Sequence, residues 1–313
     1  MLVIGHRGCH YRGYNQNTIR AFKKVVSEGA KAFEFDVQLT KDKKMVVVHN
    51  LNLAKVSTGS GLVREKTLAE IRELYAGKTE DGFDKIPTLA ELFDLCSSYS
   101  KKNRPAIHLE LKGDASGAAS GSLIKEYVEG GKLDYDDFLI SSFSWPELVA
   151  MRQVNPEIKI ALLDGSIRRK TLLPDLPGRD ELFSKIFNYG EENFMLPFTT
   201  NYEESCAVID KEVSDPAVAK ILKDEVKKAL SGGYYNDELL DTAGKMNATS
   251  VNLWYNTVTK EFIAKAHERG LKVFVYTVNE EDDLRRLPEL GVDGFFTDYW
   301  ANSVAFMTKE GLL

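Results

Sequence analysis

The sequence predicts an α/β fold, a closed (β/α)8 TIM-type barrel, and three observations predict it. Short apolar runs alternate with helical stretches along most of the chain. Eight of those runs are long enough for barrel strands: those ending at His6, Asp36 and Lys112, then 138–143, 158–163, 250–254, 272–277 and 294–297. Polar, reactive residues recur at the ends of the runs, where the active groups of such barrels lie. The expectation is one barrel domain over 1–313, with a small β-hairpin excursion after strand 2 and a long, mostly helical insertion, 165–247, between strands 5 and 6.

The first fifty residues carry the densest information. One strand ends in Ile4-Gly5-His6-Arg7-Gly8. Asn17 and Thr18 are helix-start residues, and Ile19, Phe22, Val25 and Val26 form a helical stripe that ends near Gly29. In the next strand Phe33, Phe35 and Val37 share one face and Glu34 and Asp36 the other, because strand side chains alternate. Two carboxylates about 4 Å apart repel by roughly 4 kcal/mol at an effective dielectric of about 20. A divalent cation between them is the simplest remedy. The segment 38–44 is too short for a crossover helix, so the chain folds back as a hairpin turning near Asp42–Lys43. That return brings His49 roughly opposite Asp36.

Beyond His49, the stretch 51–63 contains Ser57-Thr58-Gly59-Ser60-Gly61 and lacks the Gly-Lys-Ser/Thr of a phosphate loop, so it reads as a surface loop. Short helices follow at 68–74 and 89–99. In the strand 106–112, Ile107, Leu109 and Leu111 face one way and His108, Glu110 and Lys112 the other. Buried ion pairs are weak devices for stability. Glu110 is therefore expected as a third oxygen ligand and Lys112 as an anion contact, with His108 as a satisfied core histidine. Near the C-terminus a helix over 259–269 ends at Gly270, and Asn279 is the expected N-cap of a helix over 280–290 that stops at Gly291. The insertion exceeds what one helix and two loops need, and it leaves from the site end of a strand. It is expected as a lid or substrate wall, or as a subunit contact.

Composition narrows the class. The 313 residues carry 43% hydrophobic residues and a net charge of −6, which suits a soluble globular chain and gives no reason to expect nucleic-acid binding. Cys9, Cys96 and Cys206 are odd in number and lack metal-ligand spacing, so they read as reduced thiols. No apolar run approaches a membrane span, and Met1 leads directly into the first strand, with no room for a signal peptide. Cytoplasmic is the expected location.

Assembled, these residues resemble the glycerophosphodiester phosphodiesterase family. The likeness rests on His6-Arg7-Gly8, Asn17-Thr18, Glu34-Phe35-Asp36-Val37, Thr40-Lys41-Asp42, His49, Glu110-Leu111-Lys112, Thr277-Val278-Asn279, Gly291-Val292-Asp293-Gly294 and Thr297-Asp298, in that order. The resemblance implies a barrel that binds one divalent cation, Mg2+ or Ca2+. It implies cleavage of a small-molecule glycerophosphodiester to glycerol 3-phosphate and an alcohol. By position Glu34, Asp36 and Glu110 match the metal ligands, His6 and His49 the acid–base pair, and Arg7 and Lys112 the phosphate contacts. The chain departs from the family at Gln16 and Asn50, where carboxylates are usual, and at Tyr276, where Trp is common. Two other readings fit the same residues. One is a lysophospholipase D-like enzyme whose insertion, with Phe194, Leu196, Phe198, Tyr234 and Tyr235, supplies an acyl groove. The other is a barrel that binds phosphoryl ligands without turning them over.

Overall fold

In the computed structural model the described residues are 1–164, except Arg12 and Asp81, and 237–313, with scattered positions of 206–227. Eight parallel strands close a ring: β1 (Leu2–Gly5), β2 (Ala32–Leu39), β6 (Ala106–Leu111), β7 (Phe138–Ser142), β8 (Ile160–Asp164), β9 (Ser250–Trp254), β10 (Lys272–Tyr276) and β11 (Gly294–Thr297). Closure is made by β1, which pairs with β11 on one side (Leu2 beside Gly294) and with β2 on the other (Gly5 beside Phe33). The expected barrel is the fold.

The predicted hairpin is also present. β3 (Met45–Val47) returns antiparallel on β2 with Val37 beside Val47, and Lys43 at the turn has φ 61°. Val48 N–H donates to the Asp36 carbonyl at 2.9 Å, so His49 lies one residue beyond the position opposite Asp36.

Two expectations for the segment after β3 are corrected. The stretch 51–63 is not simply a surface loop. It forms two short 3-10 turns, Leu53–Lys55 and Val63–Glu65, whose Leu53 and Val63 are buried with Val46, Ile71 and Ile86 in a small core of their own. Its Ser/Gly content hid those two anchors. The second helix, α2 (Leu68–Arg72), is shorter than expected. It runs into a two-stranded hairpin, β4 (Tyr75–Thr79) and β5 (Gly82–Lys85), that pattern reading missed. Its strands are too short and polar to show apolar alternation.

Helices cover the outside of the ring: α1 (Ile19–Ser27), α3 (Leu89–Ser98), α4 (Ser116–Glu129), α5 (Trp145–Val154), α6 (Asp237–Lys245), α7 (Lys260–Glu268), α8 (Glu281–Leu290) and α9 (Trp300–Lys309). Thr18 caps α1 by accepting from the Ala21 N–H. Phe22 of α1 then packs on the outward Phe33 and Phe35 with ring centroids 4.9 and 5.8 Å away. Asn279 is not the cap of α8. Glu280 occupies that position without a side-chain cap bond, and Asn279 turns toward the barrel mouth. Of the 165–247 insertion, α6 and scattered positions of 206–227 are described. The bulk of it, including Phe194, Leu196, Phe198, Tyr234 and Tyr235, lies outside the described residues. Among the described residues no helix is long and apolar enough to cross a membrane.

Ile4, Leu163, Phe274, Tyr276 and Phe296 fill the barrel interior. His108 lies there too, edge-on to Phe274 and Phe296, and its Nδ1 has no hydrogen-bond partner. It is buried as expected, but not satisfied. Burial lowers the imidazole from 6.5 to about 4. The unfolded chain therefore binds a proton that the folded chain refuses, and stability falls as pH drops from about 6.5 to about 4, by about 3 kcal/mol in full. His108→Leu should lessen this acid loss, measured as the difference between urea unfolding free energies at pH 7 and pH 4.5. His6 and His49 shift in the same direction, so the loss shrinks without vanishing.

Candidate active site

Every predicted site residue comes to the C-terminal mouth of the barrel. The turn after β1 sets the first two. A Cβ on Gly5 would stand 2.6 Å from the Gly8 carbonyl oxygen, and Gly8 has φ +84°, so both positions need glycine for the chain to turn there. Arg7, at φ 54°, holds a conformation uncommon for a side-chain-bearing residue. In it the Arg7 N–H donates to Glu34 Oε2 at 3.0 Å. His6 is held by its own N–H, which donates to the Thr297 carbonyl at 2.9 Å.

The inward faces of β2 and β6 supply the acids. Asp36 lies beside Glu110 in the parallel register, and Glu34 beside His108. Glu34, Asp36 and Glu110 each offer a carboxylate oxygen within 4.8 Å of the others. Asp36 is 0% exposed, and Lys112 Nζ lies 3.3 Å from its Oδ1, with Arg7 Nε 3.4 Å from its Oδ2. Lys112 also donates to Glu110. Glu34 Oε1 and Asp36 Oδ1 are buried without a hydrogen bond. Two buried, unbonded carboxylate oxygens in an all-oxygen trio suit a hard divalent cation. The donor set therefore fits one.

The charges sort themselves by environment. Burial raises the Glu34 carboxyl well above the carboxylate range, aided by Asp36 and Glu110. Burial also raises Glu110, to about 7 against the pull of Lys112. For Asp36 burial is outweighed by its cationic neighbours, His49 when protonated and Lys112 and Arg7 throughout, which keep its carboxyl low. Burial and Lys112 push the His49 imidazole far below its usual range, so at neutral pH His49 is uncharged and the two permanent cations hold Asp36. Lys112 stays protonated because Glu110 and Asp36 offset its burial.

Each imidazole has a different neighbour. His6 Nδ1 is 2.7 Å from Asp298 Oδ1, while Nε2 faces Glu34 at 3.9 Å. An ionised carboxylate has no proton to give, so Nδ1 is the donor and Nε2 presents a lone pair. Asp298 is anchored by the Asn279 amide at 2.8 Å, and its carboxyl is held low by His6 and Asn279 despite burial. His49 Nδ1 is 3.1 Å from the Asn50 side-chain oxygen, a neutral partner. Gln16 accepts from Arg7 at 2.6 Å, so the first departure from the family pattern still steadies the guanidinium.

Sequence reasoning missed four contributors. Asn17, expected only as a helix-start residue, brackets Asp36: its amide donates to Oδ2 at 2.8 Å and its oxygen accepts the Asp36 N–H at 3.3 Å. Asp298 and Asn279 were visible only as motif letters, although a carboxylate just beyond a strand end is the same signal that marked His6. Phe143, 6.0 Å from Lys112 Nζ and edge-on to Tyr276, borders the mouth. The acyl-groove residues of the lysolipid reading lie outside the described residues, and nothing described favours that reading.

The family model for the glycerophosphoryl diester phosphodiesterase family matches residues 6–302. The chain belongs to this family. A glycerophosphodiester phosphodiesterase of Caldanaerobacter subterraneus subsp. tengcongensis is 27% identical, with 99% of each chain covered. Two solved structures share the fold at 20% identity. One is an Oleispira antarctica phosphodiesterase in complex with sn-glycerol-3-phosphate, with TM-score 0.68 and 98% and 97% of the two chains covered. The other is the Thermotoga maritima glycerophosphodiester phosphodiesterase, with TM-score 0.59 and 97% of each covered. Within this glycerophosphodiester phosphodiesterase fold, Asn17→Ala would strip the buried Asp36 of one hydrogen bond to its carboxylate and one from its backbone N–H. It should lower the unfolding free energy by about 2 kcal/mol in urea titration at pH 7, with Asn17→Asp at least as damaging.

Proposed function

We propose that this chain hydrolyses glycerophosphodiesters to glycerol 3-phosphate and an alcohol, with His6 and His49 as the acid–base pair. One observation carries the reading. Two uncharged imidazoles converge on a buried acidic trio that is flanked by two permanent cations, in a chain of this family. A phosphodiester anion needs charge neutralisation, a positioned nucleophile and a proton for the leaving oxygen. Arg7 and Lys112 would bind the phosphoryl oxygens. Glu34, Asp36 and Glu110 would hold one divalent cation, Mg2+ or Ca2+. When bound, such an ion neutralises phosphoryl charge and acidifies an oxygen ligand.

His6 suits the base. Its Nε2 lone pair faces Glu34 of the acidic trio, and Asp298 would stabilise the imidazolium as the proton arrives. The glycerol hydroxyl adjacent to the phosphate loses its proton to His6 and attacks phosphorus, and the P–O bond to the alcohol breaks. To protonate that leaving oxygen His49 must first take up a proton from solvent, which the bound phosphodiester anion would favour; with only a neutral amide beside it, that imidazolium gives up its proton readily. A cyclic phosphate results, and water opens it with the roles exchanged. The free thiols support a reducing, cytoplasmic setting.

Release of glycerol 3-phosphate from a panel of glycerophosphodiesters should require Mg2+ or Ca2+ and stop with chelator. His6→Ala and His49→Ala should each slow turnover by about 100- to 10,000-fold. Asp298→Asn should lower kcat by on the order of 100-fold and shift the pH profile, with KM little changed. Cleavage of a lysolipid alone would move the chain to a lysophospholipase D-like activity. Binding of glycerol phosphate without turnover of any diester would make it a binding barrel. The relative that carries the phosphodiesterase name over 99% of its length supports the first outcome.

A further inference from the structure

A cleft of about 600 Å3 lies outside the barrel mouth, between α1, Tyr14 in the β1–α1 connection, the end of β5 and the start of α3. None of the seven candidate site residues lines it. Its charge is lopsided: Arg20, Lys23, Lys24, Arg72 and Lys85 face only Asp84 and Glu91. Both of those carboxylates have other partners. Glu91 takes the two arms of Arg72 at 2.8 Å each and the Thr88 N–H at 2.7 Å. Asp84 is buried and accepts the Asn15 amide at 2.7 Å. Lys85 donates to the Arg72 carbonyl at 2.6 Å and lies over the Tyr75 ring.

The cations of α1 are left facing the cleft. Lys24 pairs with Glu28 at 3.0 Å. Arg20 stacks on Tyr14, 4.4 Å from the ring centroid, and gives one arm to the Gly13 carbonyl. Lys23 has no ion pair among the described residues. Arg20, Lys23, Lys24 and Ser27 follow i, i+3, i+4, i+7 spacing and so share one helix face. Like charges at that spacing weaken a helix, and a cation in the first turn opposes its dipole. The first turn of α1 has no acid to compensate. Lys24, in the last turn, is offset by Glu28 and by the helix dipole, but among the described residues Arg20 and Lys23 have no carboxylate beside them, and an anion in the cleft would offset both.

The volume is that of a small-molecule site. A guanidinium fixed on an aromatic ring and neighbouring ammonium groups match the several acceptor oxygens and double charge of a phosphate. Ile19, Pro87 and the Tyr14 ring leave apolar wall for a carbon skeleton. We propose that the α1 cleft is a second anion site that binds a dianionic phosphate group, free or carried on a small ester. Tyr14 and Thr18, both on its lining, bracket the Gln16 and Asn17 that hold Arg7 and Asp36. An occupant would therefore lie against the same β1–α1 connection that holds Arg7 and Asp36. The inference does not depend on the reaction proposed for the mouth.

The test is backbone-amide NMR on the full chain at pH 7.5, titrated in turn with inorganic phosphate, glycerol 3-phosphate and chloride at matched ionic strength. Saturable shifts of the Tyr14, Arg20, Lys23 and Ser27 amides with either phosphate, absent with chloride, are expected. The tighter of the two midpoints tells a free phosphate from an ester. In the surface double variant Arg20→Gln/Lys23→Gln those shifts should need at least about tenfold more ligand, while shifts near Arg7 and Lys112 keep their midpoint. Three results would overturn the site: phosphate shifts confined to the Arg7 and Lys112 region, α1 shifts matched by chloride, or α1 shifts unmoved by the double variant.

Discussion

The structure depends on one buried charge. Asp36 has no exposure to solvent, and it is kept ionised by Arg7 and Lys112, cations that arrive from different strand ends. An unpaired carboxylate at that depth would be strongly destabilising, whereas a paired and hydrogen-bonded one is tolerated. The pairing works only if β1, β2 and β6 hold their relative register, so the same contacts that satisfy the charge pin the barrel mouth. Asn17 donates one hydrogen bond to the Asp36 carboxylate and accepts one from its backbone N–H, and it does so from a left-handed backbone conformation at φ 57°.

The mouth is asymmetric, and the asymmetry has chemical content. His6 is backed by a carboxylate that is itself anchored by Asn279, whereas His49 is backed by an amide. Both imidazoles are buried enough to be neutral, but a proton on His6 has a hydrogen-bonded carboxylate beside it, whereas burial and Lys112 outweigh what favours one on His49. Two identical side chains thus acquire opposite tendencies from their neighbours alone. Gln16 and Asn50 are neutral partners in this layer: Gln16 accepts from Arg7 and Asn50 faces His49, so neither adds negative charge beside Glu34, Asp36 and Glu110.

Much of this was legible in the letters. Alternation in 32–37 and 106–112 assigned Glu34, Asp36, Glu110 and Lys112 to inward faces, because a strand reverses its side chains at every residue. Chain length between Asp36 and His49 forced the hairpin, because no crossover helix fits. Where reading failed, the physical reason is local. The β4–β5 hairpin has polar, short strands whose stability comes from Tyr75 stacking on Phe83 and from the Asn15 bridge to Asp84, neither of which leaves a periodic pattern. The small core of Leu53, Val63 and Ile71 is built from isolated apolar residues in Ser- and Gly-rich surroundings. Asn279 resembled a cap because a cap and a carboxylate anchor demand the same side chain.

By itself, then, the sequence determined the eight barrel strands, the inward faces and seven of the residues that meet at the mouth, since periodicity and chain length are local quantities. Only the tertiary structure decided which group partners which. Asp298 reaches His6 across 292 positions because β11 closes the ring on β1. Asn17 reaches Asp36 because the β1–α1 turn folds back over β2. The basic face of α1 becomes a cleft only because the β4–β5 hairpin stands opposite it. Protonation follows the same rule: a residue's burial and its neighbouring charges exist only once the barrel is closed.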